Sequence, residues 1–228
     1  MRALLISNSG RPFLEHCRQA IAEFLGPARR VGFVTAASLN NEKDYYERAR
    51  AALEPVGLGV EHVHWNHEPL RALQRVDAIF VGGGNTYALL KRLHRATLVE
   101  AIRARVLGGV PYVGSSAGSN LAGPTILTTN DWNVVALDRF DALGLVPFNV
   151  NPHYLDTDPT MARHSETRDN RIREYHVVNV NPVFGIEEGT WVTVEGSLAT
   201  VGGVGRVKVF RRGADPAWHA MGARIPVE

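Results

Sequence analysis

Through its first half the chain alternates short, mostly apolar runs with amphipathic segments of helical period. The runs are Ala3 to Ile6, Val31 to Thr35, Val60 to Val63, Ala78 to Val81 and Val110 to Val113. Between them lie helical patterns from about Pro12 to Leu25, from Glu42 to Leu53, up to His94, and through Leu98, Ile102 and Val106. Strands without polar alternation are buried on both faces, and strand–helix–strand order makes neighbours parallel. The expected fold is α/β in three layers: a doubly wound, mostly parallel sheet with helices on both faces.

The second half changes character. Val146 to Val150 reads as a strand, and Asn151 to Thr160, rich in Pro and Asp, as a loop. Thr167 to His176 reads as a helix capped by Thr167 or Ser165. Short runs follow at Val183 to Ile186, Trp191 to Val194, Ser197 to Val201 and Arg206 to Phe210, separated by glycine turns. These predict an antiparallel C-terminal extension of the same sheet. The 228 residues carry no linker or repeat, so a single domain over 1–228 is expected.

Charge and cysteine content narrow the function. The net charge of +2 is scattered, and the basic stretch Arg163 to Arg173 is interleaved with acids, so nucleic acid is not an expected partner. No segment is long and apolar enough for a bilayer, and the apolar run at Met1 to Ile6 is too short for a signal segment. The one cysteine, Cys17, cannot form an internal disulfide and shares a helix face with Phe13, Ile21 and Phe24, which makes it a core residue. A cytoplasmic location is expected.

Chemistry concentrates at two glycine turns. In Gly114-Ser115-Ser116-Ala117-Gly118 a strand turns directly into a helix, which forces the corner residue into a strained conformation and demands small neighbours. This G-x-S-x-G pattern lifts Ser116 clear of the carboxyl end of a strand, as a nucleophile requires. The second turn, Gly82-Gly83-Gly84-Asn85-Thr86, lacks the spacings of a phosphate-binding loop; its N–H groups could instead serve an oxyanion hole beside the serine. Serine needs a base, usually His held by a carboxylate. Of nine histidines, His153 follows a strand and stands in Asn151-Pro152-His153-Tyr154, although a loop histidine bonded to its surroundings would look the same. His62, His64 and His67 hint at a metal but fit a half-exposed strand better. For the orienting acid, Glu187 and Glu188 sit between glycines at a strand end, as surface turns also do.

Several segments, in one order, resemble a known family. They are Leu5-Ile6-Ser7-Asn8-Ser9, Val81 to Thr86, Gly114 to Ala122, Pro124 to Ile126 with Thr128 to Asp131, Phe140 to Leu143, Asn151 to His153, Glu166 to Arg168 with Arg171 to Glu174, and Glu188 to Trp191. The chain is similar, nearly end to end, to the S51 serine peptidases of the peptidase E (α-aspartyl dipeptidase) type. The resemblance implies a class I glutamine amidotransferase-like, flavodoxin-like fold and a Ser116, His153, Glu188 triad. It also implies oxyanion donors at Gly84 and Ala117, and a substrate that is a small peptide with an amino-terminal aspartate. Arg168 would bind that aspartate side chain with help from Thr167. Asp131 matches a position that matters in the family and is the candidate for the free amine, and Asn85 joins the substrate-binding set. Pairing along its helix for Arg168 and capping of a turn for Asp131 are the plain alternatives. No cofactor or metal is implied, and the protein would act as a monomer or homodimer. The sequence departs from the family pattern at Ser115, where the family carries Trp, a residue that would shape one wall of the pocket. Three rival readings remain: a cyanophycinase-like or broader S51 peptidase with the same triad, a non-catalytic binding relative, and, third, a nucleotide-binding role for Gly82 to Thr86.

Overall fold

The computed structural model describes residues 1–156, 160 and 164–227. The strands are β1 (Arg2–Ile6), β2 (Arg30–Val34), β3 (Gly59–His62), β4 (Ala78–Val81), β5 (Tyr112–Ser115), β6 (Asn149–Tyr154), β7 (Val183–Glu187), β8 (Thr190–Glu195), β9 (Leu198–Gly203), β10 (Val207–Phe210), β11 (Ala217–His219) and β12 (Arg224–Pro226). The helices are α1 (Arg18–Leu25), α2 (Glu42–Leu53), α3 (Pro69–Arg75), α4 (Thr86–Arg95), α5 (Leu98–Leu107), α6 (Ala117–Leu121) and α7 (Arg168–Val178). The main sheet runs β12-β9-β8-β1-β5-β4-β2-β3. Its β1, β5, β4, β2 and β3 are mutually parallel, and β8, β9 and β12 extend it antiparallel.

The apolar runs explain the layering. Side chains alternate across a strand. Leu4 and Ile6 of β1, Phe33 of β2, and Ala78 and Phe80 of β4 meet α1 and α2 on one face. Ala3, Leu5, Ile79 and Val81 meet α3 to α6 on the other. A strand apolar on both faces fits only such a sandwiched sheet.

Four expectations need correction. The helix expected from Pro12 begins only at Arg18: Leu14 adopts φ +58°, and residues 10–17 form a compact turn closed by Leu14 N–H donating to Ser9 O. Cys17 ends that turn, buried, and burial pushes its thiol up to about 12. The strand expected at Val146 to Val150 is β6, shifted to Asn149–Tyr154, so Asn151 to Tyr154 is strand rather than loop. The C-terminal strands do not all join the main sheet: β7 and β10 build a second sheet, β11-β10-β7-β6, in which β6 and β7 are parallel. Helix α3 went unforeseen. The second sheet packs Val150, Phe184, Ile186 and Val207 into the core shared with α4 to α6, and α7 sets Ile172 and Tyr175 against Tyr154, Val183 and Phe210. Among the described residues no helix is long and apolar enough to cross a membrane.

Candidate active site

Ser116 stands at the carboxyl end of β5, between the loops that leave β1 and β4. Its φ of 53° and ψ of −111° are a strained conformation for a non-glycine residue, of the kind that persists only where the surroundings impose it. The glycines are obligatory here. A Cβ on Gly114 would lie 2.5 Å from Gly118 O, and one on Gly118 would lie 2.0 Å from Val81 O. Around them, Ser116 N–H donates to Ile6 O at 2.9 Å. Ser119 Oγ–H is within reach of Ile6 O and Gly114 O, at 2.7 and 2.8 Å. Tyr112 O–H donates to Gly118 O at 2.6 Å.

His153 arrives from the second sheet. It too has positive φ, 53°, where β6 slips register against β7 between Asn151 and Tyr154. That irregularity turns the ring toward Ser116, and a polar frame holds it. His153 N–H donates to Ser7 Oγ at 2.8 Å, and Ser7 O–H donates to Ile186 O at 2.8 Å. Asn130 Nδ2 donates to Pro152 O, and Asn151 Nδ2 donates to Asn130 Oδ1, each at 2.8 Å. Asn120, one turn beyond Ser116, donates to Val150 O at 2.6 Å and so ties the elbow helix to β6.

Ser116 Oγ lies 2.8 Å from His153 Nε2, and His153 Nδ1 lies 2.8 Å from Glu188 Oε1. A carboxylate can only accept, so Nδ1 carries the proton toward Glu188 and Nε2 is left to accept from the serine hydroxyl. Glu188 occupies the turn between β7 and β8, where Gly189 N–H donates to Asn8 Oδ1 at 2.9 Å. Its neighbour Glu187 is committed elsewhere, to Arg206 at 3.1 Å. The geometry thus separates two acids that the sequence left equivalent.

The second glycine turn closes on the same spot. A Cβ on Gly83 would come within 3.0 Å of Ser116 Cβ, and Gly83 N–H donates to Tyr45 Oη at 2.7 Å. Gly84, at φ +136°, has Ala37 O where a Cβ would stand, 2.3 Å away. The N–H groups of Gly84 and Ala117 donate to no acceptor among the described residues. Ser115 Oγ lies 2.9 Å from Ser9 Oγ, which joins the elbow to the β1 loop.

A cavity of about 880 Å³ opens over Ser116, His153 and Glu188, and Gly84, Asn85 and Asp131 also line it. Asp131 caps α4: Oδ2 accepts from Thr86 N–H at 2.7 Å and from Thr86 O–H at 2.6 Å. Asn85 also caps α4, accepting from Ala88 N–H at 2.9 Å. Arg168 and Thr167 are not on this cavity. Thr167 caps α7, accepting from Asn170 N–H at 3.1 Å. Arg168 lines a neighbouring space of about 480 Å³ with Asn130 and Asn151. Its guanidinium has no acid partner among the described residues, and burial, then Arg171, lowers its pKa. Of the histidines considered for a metal, His62 meets Thr35 and His64 meets Glu42.

A model of the family described as Peptidase family S51 matches residues 3–202. The chain belongs to peptidase family S51. It is 46% identical to a peptidase E of Streptomyces coelicolor over 99% of this chain and 93% of that one. It is 44% identical to a probable alpha-aspartyl dipeptidase of Drosophila melanogaster, over 91% of this chain and 89% of that one. Among solved structures, a putative peptidase E protein from Listeria monocytogenes EGD-e superposes with a TM-score of 0.69 at 27% identity, covering 89% of this chain and 98% of that one. A peptidase from an acI-B1 actinobacterium shares the fold, with a TM-score of 0.74 at 15% identity over 99% and 96% of the two chains. As a member of family S51 the protein is a hydrolase.

Site residues the motifs did not reveal are Ser7, Asn8, Asn120, Asn130, Asn151 and Tyr45. Ser7 and Asn8 carried a positional signal, since they follow the first parallel strand at the edge where such sheets bind ligands. Asn120, Asn130 and Asn151 lie in segments that resemble the family, yet their bonding roles, like that of Tyr45, arise from contacts between distant segments and were not legible.

Proposed function

We propose that this S51 peptidase is a serine-type dipeptidase that cleaves after an amino-terminal aspartate. The observation that carries this reading is the unbroken chain from Ser116 through His153 to Glu188, with both links at 2.8 Å, on a strained elbow facing an open cavity. The names of the relatives supply the substrate class.

In this mechanism His153 Nε2 takes the proton from Ser116 as the hydroxyl attacks the peptide carbonyl. Glu188 holds the tautomer and stabilises the imidazolium that forms. The free N–H groups of Gly84 and Ala117 meet the oxyanion. His153 then returns its proton to the leaving amine, and water releases the aspartyl group from Ser116. The substrate amine is assigned to Asp131, whose Oδ2 is spent on Thr86 while Oδ1 has no donor among the described residues. The aspartate side chain is assigned to Arg168, which stands with Asn130 and Asn151 in the space beside the cavity and has no counter-ion among the described residues, because a planar fork suits a carboxylate. Thr167 and Asn85 act through their caps, fixing the helix starts beside Arg168 and Asp131. Its free thiol suits a reducing compartment, so we place the enzyme in the cytoplasm.

The test is a panel of amino-acyl anilides bearing Asp, Glu, Asn and Ala. The reading predicts that the Asp compound is cleaved at least tenfold faster than the others, as roughly one charge-assisted contact provides. It also predicts that Arg168→Ala removes most of that preference. Equal rates across the panel would remove the aspartate assignment, and equal losses on all four compounds in Arg168→Ala would remove the arginine's recognition role.

A further inference from the structure

Charged groups of both signs face one another across the Ser116 cavity. Asp131 contributes its charge on the side of α4. Across from it, on the side of α1 and α2, stand two guanidinium groups, Arg11 and Arg48. Arg48 is already placed: its Nε lies 3.1 Å from Asp44 Oδ2, and its head sits over the rings of Phe13 and Tyr45 at 5.7 and 5.5 Å. Arg11 has neither an ion pair nor a hydrogen bond among the described residues. Of the acids on the cavity, Asp131 is across from this wall and Glu188 is bound to His153 Nδ1, while Arg48 is matched by Asp44, so Arg11 is the cation left without an acid among the described residues.

The backbone that carries Arg11 is fixed although its head is free. Leu14 N–H donates to Ser9 O at 2.6 Å, and the Phe13 ring meets Tyr45 edge-on at 5.5 Å. The same loop supports the base. Ser7 holds the His153 N–H, and Asn8 holds the Gly189 N–H beside Glu188. In acyl transfer the base that took the serine proton gives it to the leaving amine, so the leaving residue lies on the base's side of the scissile bond. Here that side is the β1 loop, and the cation it carries without a partner among the described residues is Arg11.

We propose that Arg11 binds the terminal carboxylate of the leaving residue and makes this active site a reader of dipeptide length. This rests on the dipeptidase reading and adds a second anion station to it. A dipeptide in the cavity then has its ammonium toward Asp131 and its carboxylate toward Arg11, along the field the protein provides. A longer peptide or a carboxyl-terminal amide has no charge at that point and leaves Arg11 without a partner.

The experiment compares kcat/KM for aspartyl-leucine and for its carboxyl-terminal amide, in the wild type, Arg11→Gln and Arg11→Lys. The wild type is expected to prefer the free acid by about tenfold, the strength of a charge-assisted contact discounted for an exposed arginine. Arg11→Gln should bring that ratio close to one, mainly through KM for the acid, and Arg11→Lys should keep part of it. A wild type that does not distinguish acid from amide overturns the proposal, and so does an Arg11→Gln variant that keeps the wild-type ratio. Failure to cleave either compound, or any aspartyl anilide, overturns the dipeptidase reading itself, and this proposal with it.

Discussion

Replacing Ser7 by Ala tests whether the frame around His153 matters as much as the catalytic side chains. Ser7 is fully buried, and its hydroxyl bridges two segments by accepting from His153 N–H and donating to Ile186 O, both at 2.8 Å. Ile186 is fully buried too, so its carbonyl would lose its side-chain donor with no water to replace it. An unsatisfied buried group costs about 1–3 kcal/mol. The His153 N–H stands nearer the cavity, where water can reach it, and adds less. At ~2–4 °C per kcal/mol for a domain of this size, Tm should fall by about 2–12 °C. The kinetic consequence is larger. His153 is held at φ +53° by this bond and by Asn130 on Pro152. A base displaced by about 1 Å can lose on the order of a hundredfold in rate. Ser7→Ala should therefore lower kcat on an aspartyl anilide by roughly 10–100-fold with KM little changed. Thermal unfolding and steady-state kinetics on one preparation decide it. A Tm drop with kcat intact would show that Ser7 only packs, and no change in either would refute the bridging role.

Two further perturbations probe the triad acid and the elbow. Glu188→Gln should lower kcat by ~10²–10³-fold, less than the ~10⁴-fold loss known for a buried orienting acid, because the Glu188 side chain is 64% exposed and water can partly replace it; an unchanged kcat would mean that another group orients His153. Gly118→Ala would drive a Cβ to 2.0 Å from Val81 O, a backbone atom on a central strand that cannot step aside, so a loss of about 1–3 kcal/mol or more is expected in chemical denaturation, and wild-type stability would contradict the packing argument.

The sequence made the parallel half of the fold legible because its signals are local. Apolar runs mark the central strands buried on both faces, while Val60 to Val63, with Glu61 and His62 inside it, became the partly exposed edge strand β3, and glycines mark the two turns beside the site. The same holds for Ser116, whose corner is written in its immediate neighbours. His153 was harder. Asn151-Pro152 reads as loop because proline breaks a ladder, yet β6 is the outer strand of the second sheet, where proline is tolerated. The second sheet itself was hidden, since pairing β6 with β7 joins segments some thirty residues apart and leaves no trace in either. Residues 10–17 show the reverse error. Phe13, Cys17 and Ile21 keep helical spacing, but Leu14 at φ +58° ends the regularity and turns Arg11 and Phe13 toward the cavity. Arg168 was expected at the serine and lies in the adjoining space, because spacing along a helix says nothing about which side of a turn the helix faces.

The central claim is that Ser116 is the nucleophile activated by His153, and covalent labelling tests it most directly. A fluorophosphonate probe should add its mass to one site per chain, mapped to the peptide containing Ser116. Ser116→Ala should abolish labelling and anilide hydrolysis while keeping the wild-type unfolding transition, and His153→Ala should slow labelling by at least about a hundredfold. A folded Ser116→Ala variant that still hydrolyses the anilide at the wild-type rate would contradict the account.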